Sequence, residues 1–330
     1  MSYLTKPFDN GKIQLKNRLI MPPMATAKSD DNGLICKDVL EYYDEKSKGG
    51  FISLIIIEHS YISQDGKASS NQLSIADDSC IDGLKKLSDI IHKNGSKAVM
   101  QINHAGSLAR KEVTENTVGP SPVLNPRKLN DTIPRELSKE EIKDIVENFK
   151  NAALRVKAAG FDGVEIHSAH GYLLNQFLSP LTNKRNDEYG VNLRGRIKIH
   201  LEVIRAVREA VGKDYPILIR LGASDFMEGG TSIDDSKIAA QSFEKAGVDI
   251  IDITGGMCGF ILQDNKDQGY FSSLSVDIKN VVKIPVILTG GITKSFAAEK
   301  LLKDGKADFI GVGRAIMSDS EWAKKAIESL

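Results

Sequence analysis

One unit recurs along this chain and leaves it few folds to choose from: a helical pattern, a glycine able to end the helix, and an apolar run that closes on polar residues or glycine. Lys48-Gly49-Gly50 precedes Ile52 to Glu58, Asn94-Gly95 precedes Lys97 to His104, Ala159-Gly160 precedes Gly163 to His170, and Ala246-Gly247 precedes Val248 to Gly255. Glycine after a helix accepts the left-handed conformation that stops it. Unbroken aliphatic runs suit parallel strands buried on both faces. Arg18 to Met24, Pro216 to Ala223, Pro285 to Gly291 and Phe309 to Ala315 complete eight candidate strands. Eight strands with intervening helices predict an α/β chain folded as a (β/α)8 TIM barrel, a single domain over residues 1–330 with long loops after strands three and six. A doubly wound sheet shares the alternation, but the count of eight and the absence of a Gly-x-Gly-x-x-Gly turn favour the barrel.

The clearest helix is expected from about Lys139 to Ala159, where Ile142, Ile145, Val146, Phe149, Ala152, Ala153 and Val156 keep helical spacing; Ser138 and Glu141 form a candidate capping box at its start. Two long insertions, Ala105 to Leu137 and Gly255 to Leu274, follow strands on the carboxyl side, where barrels carry their active-site loops. They are expected to act as a lid and a pocket wall, with plain solvated loops as the alternative.

The 330 residues carry 44 basic and 44 acidic side chains, with 41% hydrophobic content, and describe an ordinary soluble globular protein. Neutral net charge gives no electrostatic case for a nucleic acid or an anionic membrane as partner. Cys36, Cys80 and Cys258 match no metal or disulfide spacing, so a reducing, cytoplasmic location is expected. No apolar run approaches the ~18 residues of a membrane span, and the amino terminus lacks the apolar core of a signal peptide.

Chemistry concentrates in Glu165-Ile166-His167-Ser168-Ala169-His170-Gly171-Tyr172. Side chains alternate along a strand, so Val164, Ile166 and Ser168 share one face while Glu165 and His167 share the other. His170 has the opposite parity and joins His167 only if the strand ends near Ala169 and the chain turns at Gly171. Gln101 and Arg220 lie inside apolar strands, where an unsatisfied polar group costs about 1–3 kcal/mol. Either Arg220 makes a barrel-internal ion pair, for instance with Glu58 or Glu165, or both residues meet a cofactor with hydrogen-bonding edges. Thr289-Gly290-Gly291-Ile292 and Gly311-Val312-Gly313-Arg314 end strands seven and eight, the usual phosphate position of such barrels. Two other classes stay open: a non-redox phosphate-binding isomerase or aldolase, and a metal-dependent hydrolase with His167 and His170 as ligands.

The whole chain resembles the Old Yellow Enzyme family of FMN-dependent ene-reductases. The resemblance is carried by Leu15-Lys16-Asn17-Arg18-Leu19-Ile20-Met21-Pro22-Pro23-Met24, by Gln101-Ile102-Asn103-His104-Ala105-Gly106, by His167 to Pro180, by Arg185-Asn186-Asp187-Glu188-Tyr189-Gly190 and by Gly311 to Ala315. It implies FMN at the barrel mouth, with its phosphate on Gly290, Gly291, Gly313 and Arg314. Pro22, Pro23, Met24 and Ala25, with His59 nearby, would line the ring, and Gln101 and Arg220 would hold its pyrimidine edge. His167 and His170 would bind the carbonyl oxygen of an α,β-unsaturated substrate, Tyr172 would be the acid, and Ala27 would border the substrate. The implied reaction is ping-pong, with hydride passing from NADH or NADPH to flavin N5 and then to the β-carbon of the alkene.

The chain also departs from the family pattern. Relatives often carry threonine or cysteine where Ala25 stands, and a methyl group cannot bond the flavin O4; Thr26 is one position late. Ala27 replaces an aromatic common in short bacterial relatives, so a wider pocket is expected. The chain ends at Ser329-Leu330 without the arginine that some relatives lend to a neighbouring subunit, which puts a shared active site in doubt and leaves a homo-oligomer only possible. It also stops before the iron–sulfur cluster and extra domains of larger relatives, so single-domain hydride chemistry is expected.

Overall fold

The computed structural model describes residues 2–263 and 265–330. Eight parallel strands close into a barrel: β1 (Leu19–Met21), β2 (Leu54–Tyr61), β3 (Lys97–Asn103), β4 (Gly163–Ser168), β5 (Ile217–Gly222), β6 (Ile250–Thr254), β7 (Val286–Thr289) and β8 (Phe309–Gly311), with β8 pairing β1. Each is followed by a helix: α1 (Lys37–Ser47), α2 (Ile81–Lys93), α3 (Lys139–Ala158), α4 (Lys198–Val211), α5 (Ile233–Ala246), α6 (Ser272–Lys279), α7 (Ser295–Lys303) and α8 (Trp322–Glu328). This is the (β/α)8 barrel that the repeated unit predicts. None of the described helices is long and apolar enough to cross a membrane.

The strands are apolar on both faces because both are covered. Outward-facing Ile55, Ile57, Met100, Val164, Ile166 and Ile219 join helix residues such as Ile142, Ile145 and Phe149 of α3 in one buried cluster. Inward-facing Ile20, Leu54, Ile56, Val99, Leu218, Ile250, Ile287 and Phe309 form a second. Ile13 and Leu15 belong to that inner cluster and Phe8 packs on it. They come from the short hairpin Phe8–Asp9 with Gln14–Leu15, which plugs the amino end of the barrel.

Local chemistry sets the element ends. β1 stops at Met21 rather than Met24 because Pro22 and Pro23 have no N–H for the ladder. β2 runs on to Tyr61 instead of ending at Glu58, with a register irregularity between Ile57 and Ser60. β4 ends at Ser168; His170 and Gly171 then adopt φ of +58° and +76°, the left-handed turn that His170 requires. Both bonds of the α3 capping box form: Ser138 N–H donates to Glu141 Oε2 at 2.7 Å, and Glu141 N–H donates to Ser138 Oγ at 3.2 Å. Buried Arg185 ties down the β3 insertion by donating to the carbonyls of Leu137 at 2.7 Å and Pro120 at 3.1 Å, while Asp187 holds its other nitrogens.

Candidate active site

At the carboxyl ends of the strands lies a pocket of about 1210 Å³, open mouth included. Pro22, Pro23, Met24 and Ala25 line it from the end of β1, His59 from β2, Gln101 from β3, and His167 from β4 with His170 and Tyr172 just beyond. Arg220 enters from β5, Gly290 and Gly291 from the end of β7, and Gly313 and Arg314 from the end of β8. Ala27 does not line it: the residue is exposed with φ of +52°. Both insertions reach the pocket, the first through Arg127 and the second through Phe260 and Tyr270.

A polar layer forms the floor. Gln101 Nε2 donates to Glu165 Oε1 at 2.7 Å, and Thr289 Oγ1 donates to Asp252 Oδ1 at 3.1 Å. Arg220 Nε lies 3.2 Å from Asp252 Oδ2. The internal partner of Arg220 is thus Asp252, not Glu58 or Glu165. Glu58 instead accepts from the N–H of Thr26 at 2.8 Å and from its hydroxyl, which turns Thr26 toward β2. Asp252 was absent from the sequence reading, although a carboxylate inside Ile250-Ile251-Asp252-Ile253 carries the same signal as Gln101 and Arg220.

Burial raises the pKa of Glu165 well above the carboxylate range, reinforced by the charge of Asp252. Asp252 is also raised by burial, but Arg220 beside it pulls back. Burial thus favours the neutral form of Glu165, and Asp252 is the carboxylate that faces the guanidinium. Glu165 Oε2, Arg220 Nε, Asp252 Oδ2 and His167 Nδ1 are buried without a hydrogen-bond partner among the described residues.

Above the floor stand four rings. Centroids are 5.1 Å apart for His167 and His170, 5.1 Å for His167 and Tyr172, and 5.2 Å for His59 and Tyr172. Burial first, and the positive charge of Arg220 second, push His167 and His170 well below the ordinary imidazole value and His59 down to about 4. All three are neutral near pH 7. The tautomer of His59 follows from its neighbours. Gln72 Oε1 accepts from the N–H of Ala68, so Gln72 Nε2 is the donor at 2.8 Å from His59 Nδ1, and the ring proton sits on Nε2. His170 Nε2 is 3.0 Å from Thr254 Oγ1, which fixes its ring. Burial raises the Tyr172 phenol, which keeps its proton at neutral pH.

At the far end, a Cβ on Gly290 or Gly291 would meet the Tyr270 ring at 2.9 or 2.5 Å, and one on Gly313 would meet Met24 Sδ at 2.6 Å. Side chains are excluded there, and the backbone is left to face the pocket beside Arg314, whose Nη2 donates to Tyr270 Oη at 3.3 Å. A backbone-and-arginine cradle at one end and a floor of unpartnered polar atoms at the other fit a long cofactor with a phosphate and a hydrogen-bonding ring edge. The donor set fits FMN.

Residues 3–330 match the model of the NADH:flavin oxidoreductase / NADH oxidase family. An NADH oxidase of Thermoanaerobacter brockii is 40% identical over 99% of this chain, which spans 52% of that protein. An NADPH dehydrogenase of Bacillus licheniformis is 38% identical over 99% of this chain and 94% of its own. Among solved structures, the Old Yellow Enzyme homologue of Zymomonas mobilis superposes with a TM-score of 0.86 at 26% identity, covering 99% of this chain and 92% of that one. The chain spans about half the length of the first of these relatives and nearly all of the other two. It belongs to the NADH:flavin oxidoreductase / NADH oxidase family and is a barrel of the Old Yellow Enzyme kind, with FMN as cofactor.

Proposed function

We propose that the chain is an ene-reductase: it uses NADH or NADPH to reduce the carbon–carbon double bond of α,β-unsaturated carbonyl compounds, with residues 1–330 acting as one FMN-binding unit. Bound FMN would supply the capacity to accept hydride from a nicotinamide and to hand it to an electron-poor alkene.

Gly290, Gly291, Gly313 and Arg314 would hold the phosphate, and Pro22 to Ala25 with His59 would border the ring. Gln101 and Arg220 would face its pyrimidine edge. Gln101 Nε2 already donates to Glu165, so its free Oε1 is the group left to accept from a ring N–H. Arg220 places a cation where negative charge would collect.

The observation that carries the reading is the pair of neutral imidazoles, His167 and His170, facing one pocket 5.1 Å apart beside a protonated Tyr172. Neutral rings can donate to a carbonyl oxygen and stabilise the charge that grows there without delivering a full proton. Tyr172 would give its proton to the α-carbon. The apolar walls and the two insertions would exclude water.

The test is a pair of half-reactions followed anaerobically by stopped flow. His167→Ala should slow alkene reduction about 10²–10³-fold, the usual effect of losing an oxyanion donor, and slow flavin reduction by nicotinamide far less. Equal slowing of the two would reject the role given to His167.

A further inference from the structure

The pocket contains three arginines, and only two have a role under the proposed function. Arg220 faces Asp252, and Arg314 stands in the glycine cradle. The third, Arg127, comes from the β3 insertion and is held in a built slot. Fully buried Asn125 accepts from the Arg127 N–H at 3.0 Å while donating to Gly171 O at 3.1 Å and to Ser107 Oγ at 3.0 Å. Gly171 and Gly259, at φ of +76° and +81°, flank the side chain. A Cβ on Gly171 would meet Arg127 Cδ at 2.8 Å, and one on Gly259 would meet Nη2 at 2.7 Å. Two glycines from two different loops leave room for this one guanidinium.

Arg127 Nη1 donates to the carbonyl of His170 at 2.7 Å, its one side-chain hydrogen bond among the described residues. No described carboxylate pairs with it. Burial disfavours its charge, and the titratable groups beside it are Tyr172 and Cys258. Both are uncharged near pH 7, since burial raises the phenol and pushes the Cys258 thiol up to about 11. Guanidinium does not give up its proton in proteins. A partly desolvated cation facing a pocket without a counter-charge among the described residues is unfavourable unless a ligand brings the anion.

We propose that Arg127 determines specificity and selects α,β-unsaturated carbonyl substrates that carry a carboxylate. This rests on the ene-reductase reading. The cation is tied to the backbone of His170, the residue whose ring would grip the carbonyl oxygen, so a carboxylate on the same small molecule can reach it. The nitrogens not used on His170 O remain as a fork for a carboxylate.

The probes are (E)-4-oxopent-2-enoate and its methyl ester, given to the FMN-loaded enzyme. Wild type should prefer the acid, and Arg127→Met should lower the acid-to-ester ratio of kcat/KM about 10–10²-fold, the worth of a charge-assisted bond, mainly through KM. Arg127→Lys keeps the charge without the fork and should restore part of the preference. If Arg127→Met lowers both rates and leaves the ratio intact, Arg127 is a prop for His170 and the proposal is overturned. The proposal also falls if the ratio survives and flavin reduction by NADH or NADPH slows, since the cation then serves the phosphates of the reductant. Calorimetric titration of the holoenzyme with 4-oxopentanoate and its methyl ester, which have no alkene, separates this idea from the activity. Tighter, Arg127-dependent binding of the acid with no alkene turnover would keep Arg127 as a carboxylate site and reject the ene-reductase reading. Equal binding of acid and ester would reject the inference whatever the turnover.

Discussion

Near the amino end of the barrel interior, Val99, Leu218, Ile250, Ile287 and Phe309 meet one another and the hairpin plug. Two residues further along the same five strands stand Gln101, Arg220, Asp252, Thr289 and Gly311. Side chains repeat every second residue in a strand, so these are successive layers of one interior. The lower layer is apolar and packed. The upper layer, together with His167 and Glu165 of β4, contains buried polar atoms with no partner among the described residues. Each such atom costs about 1–3 kcal/mol, so the upper layer is a poor core and a good seat for a ligand. Stability and chemistry are separated here by one step of the strand pleat.

That separation can be broken by experiment. Phe309→Ala in the lower layer should cost about 3–5 kcal/mol, the usual effect of emptying a buried aromatic site, read by urea unfolding, with both half-reactions near wild type. A Phe309→Ala variant as stable as wild type would show that the lower layer is not the core.

In the upper layer, Asp252→Ala leaves the Arg220 charge buried and alone and should also cost about 3–5 kcal/mol. The double variant Asp252→Leu, Arg220→Met should recover most of that loss while abolishing the site. If the single variant unfolds no more easily than the double, the pair at 3.2 Å is not a functioning ion pair.

How much of this was legible in sequence differs between the layers for a physical reason. The lower layer and outer faces show as aliphatic runs, because period-two burial on both sides leaves no room for polar residues, and all eight strands were found that way. The α3 capping box was legible because it is local. Gln101 and Arg220 stood out as polar interruptions. Asp252 interrupts Ile250-Ile251-Asp252-Ile253 in the same way, but only the strand register makes it the neighbour of Arg220. Arg127, Phe260 and Tyr270 come from insertions without periodicity, and only the fold brings them to the pocket. Thr26 could not be read, because its partner Glu58 lies 32 residues away.

A smaller effect concerns pH. His200 is buried, 2.9 Å from Ser168 Oγ through Nε2, and burial lowers its pKa to about 3. The folded value lies below the unfolded ~6.5. Stability from this group is therefore complete above about pH 6.5 and is lost as pH falls from there toward about 3, because the unfolded chain takes the proton first. The slope is at most about 1.4 kcal/mol per pH unit. Glu165, with a raised pKa, acts in the opposite sense, so the informative quantity is a difference. His200→Gln should flatten the acid side of the stability profile relative to wild type; a steeper fall in the variant would contradict the sign.

The smallest effect tests Ala25, which faces the pocket while Thr26 is engaged by Glu58. Ala25→Thr should add one hydrogen bond to a reduced ring and raise the flavin midpoint by about 10–20 mV, equivalent to about 0.5–1 kcal/mol for two electrons. A potentiometric titration showing no change, or a lower midpoint, would refute the bond.

The most direct measurement is an anaerobic double-mixing experiment on the wild-type protein loaded with FMN. NADH or NADPH should bleach the flavin absorbance, and an activated enone added next should restore it at a rate that depends on enone concentration. Protein that takes up no FMN, or whose reduced flavin stays bleached with enone present, would contradict the account.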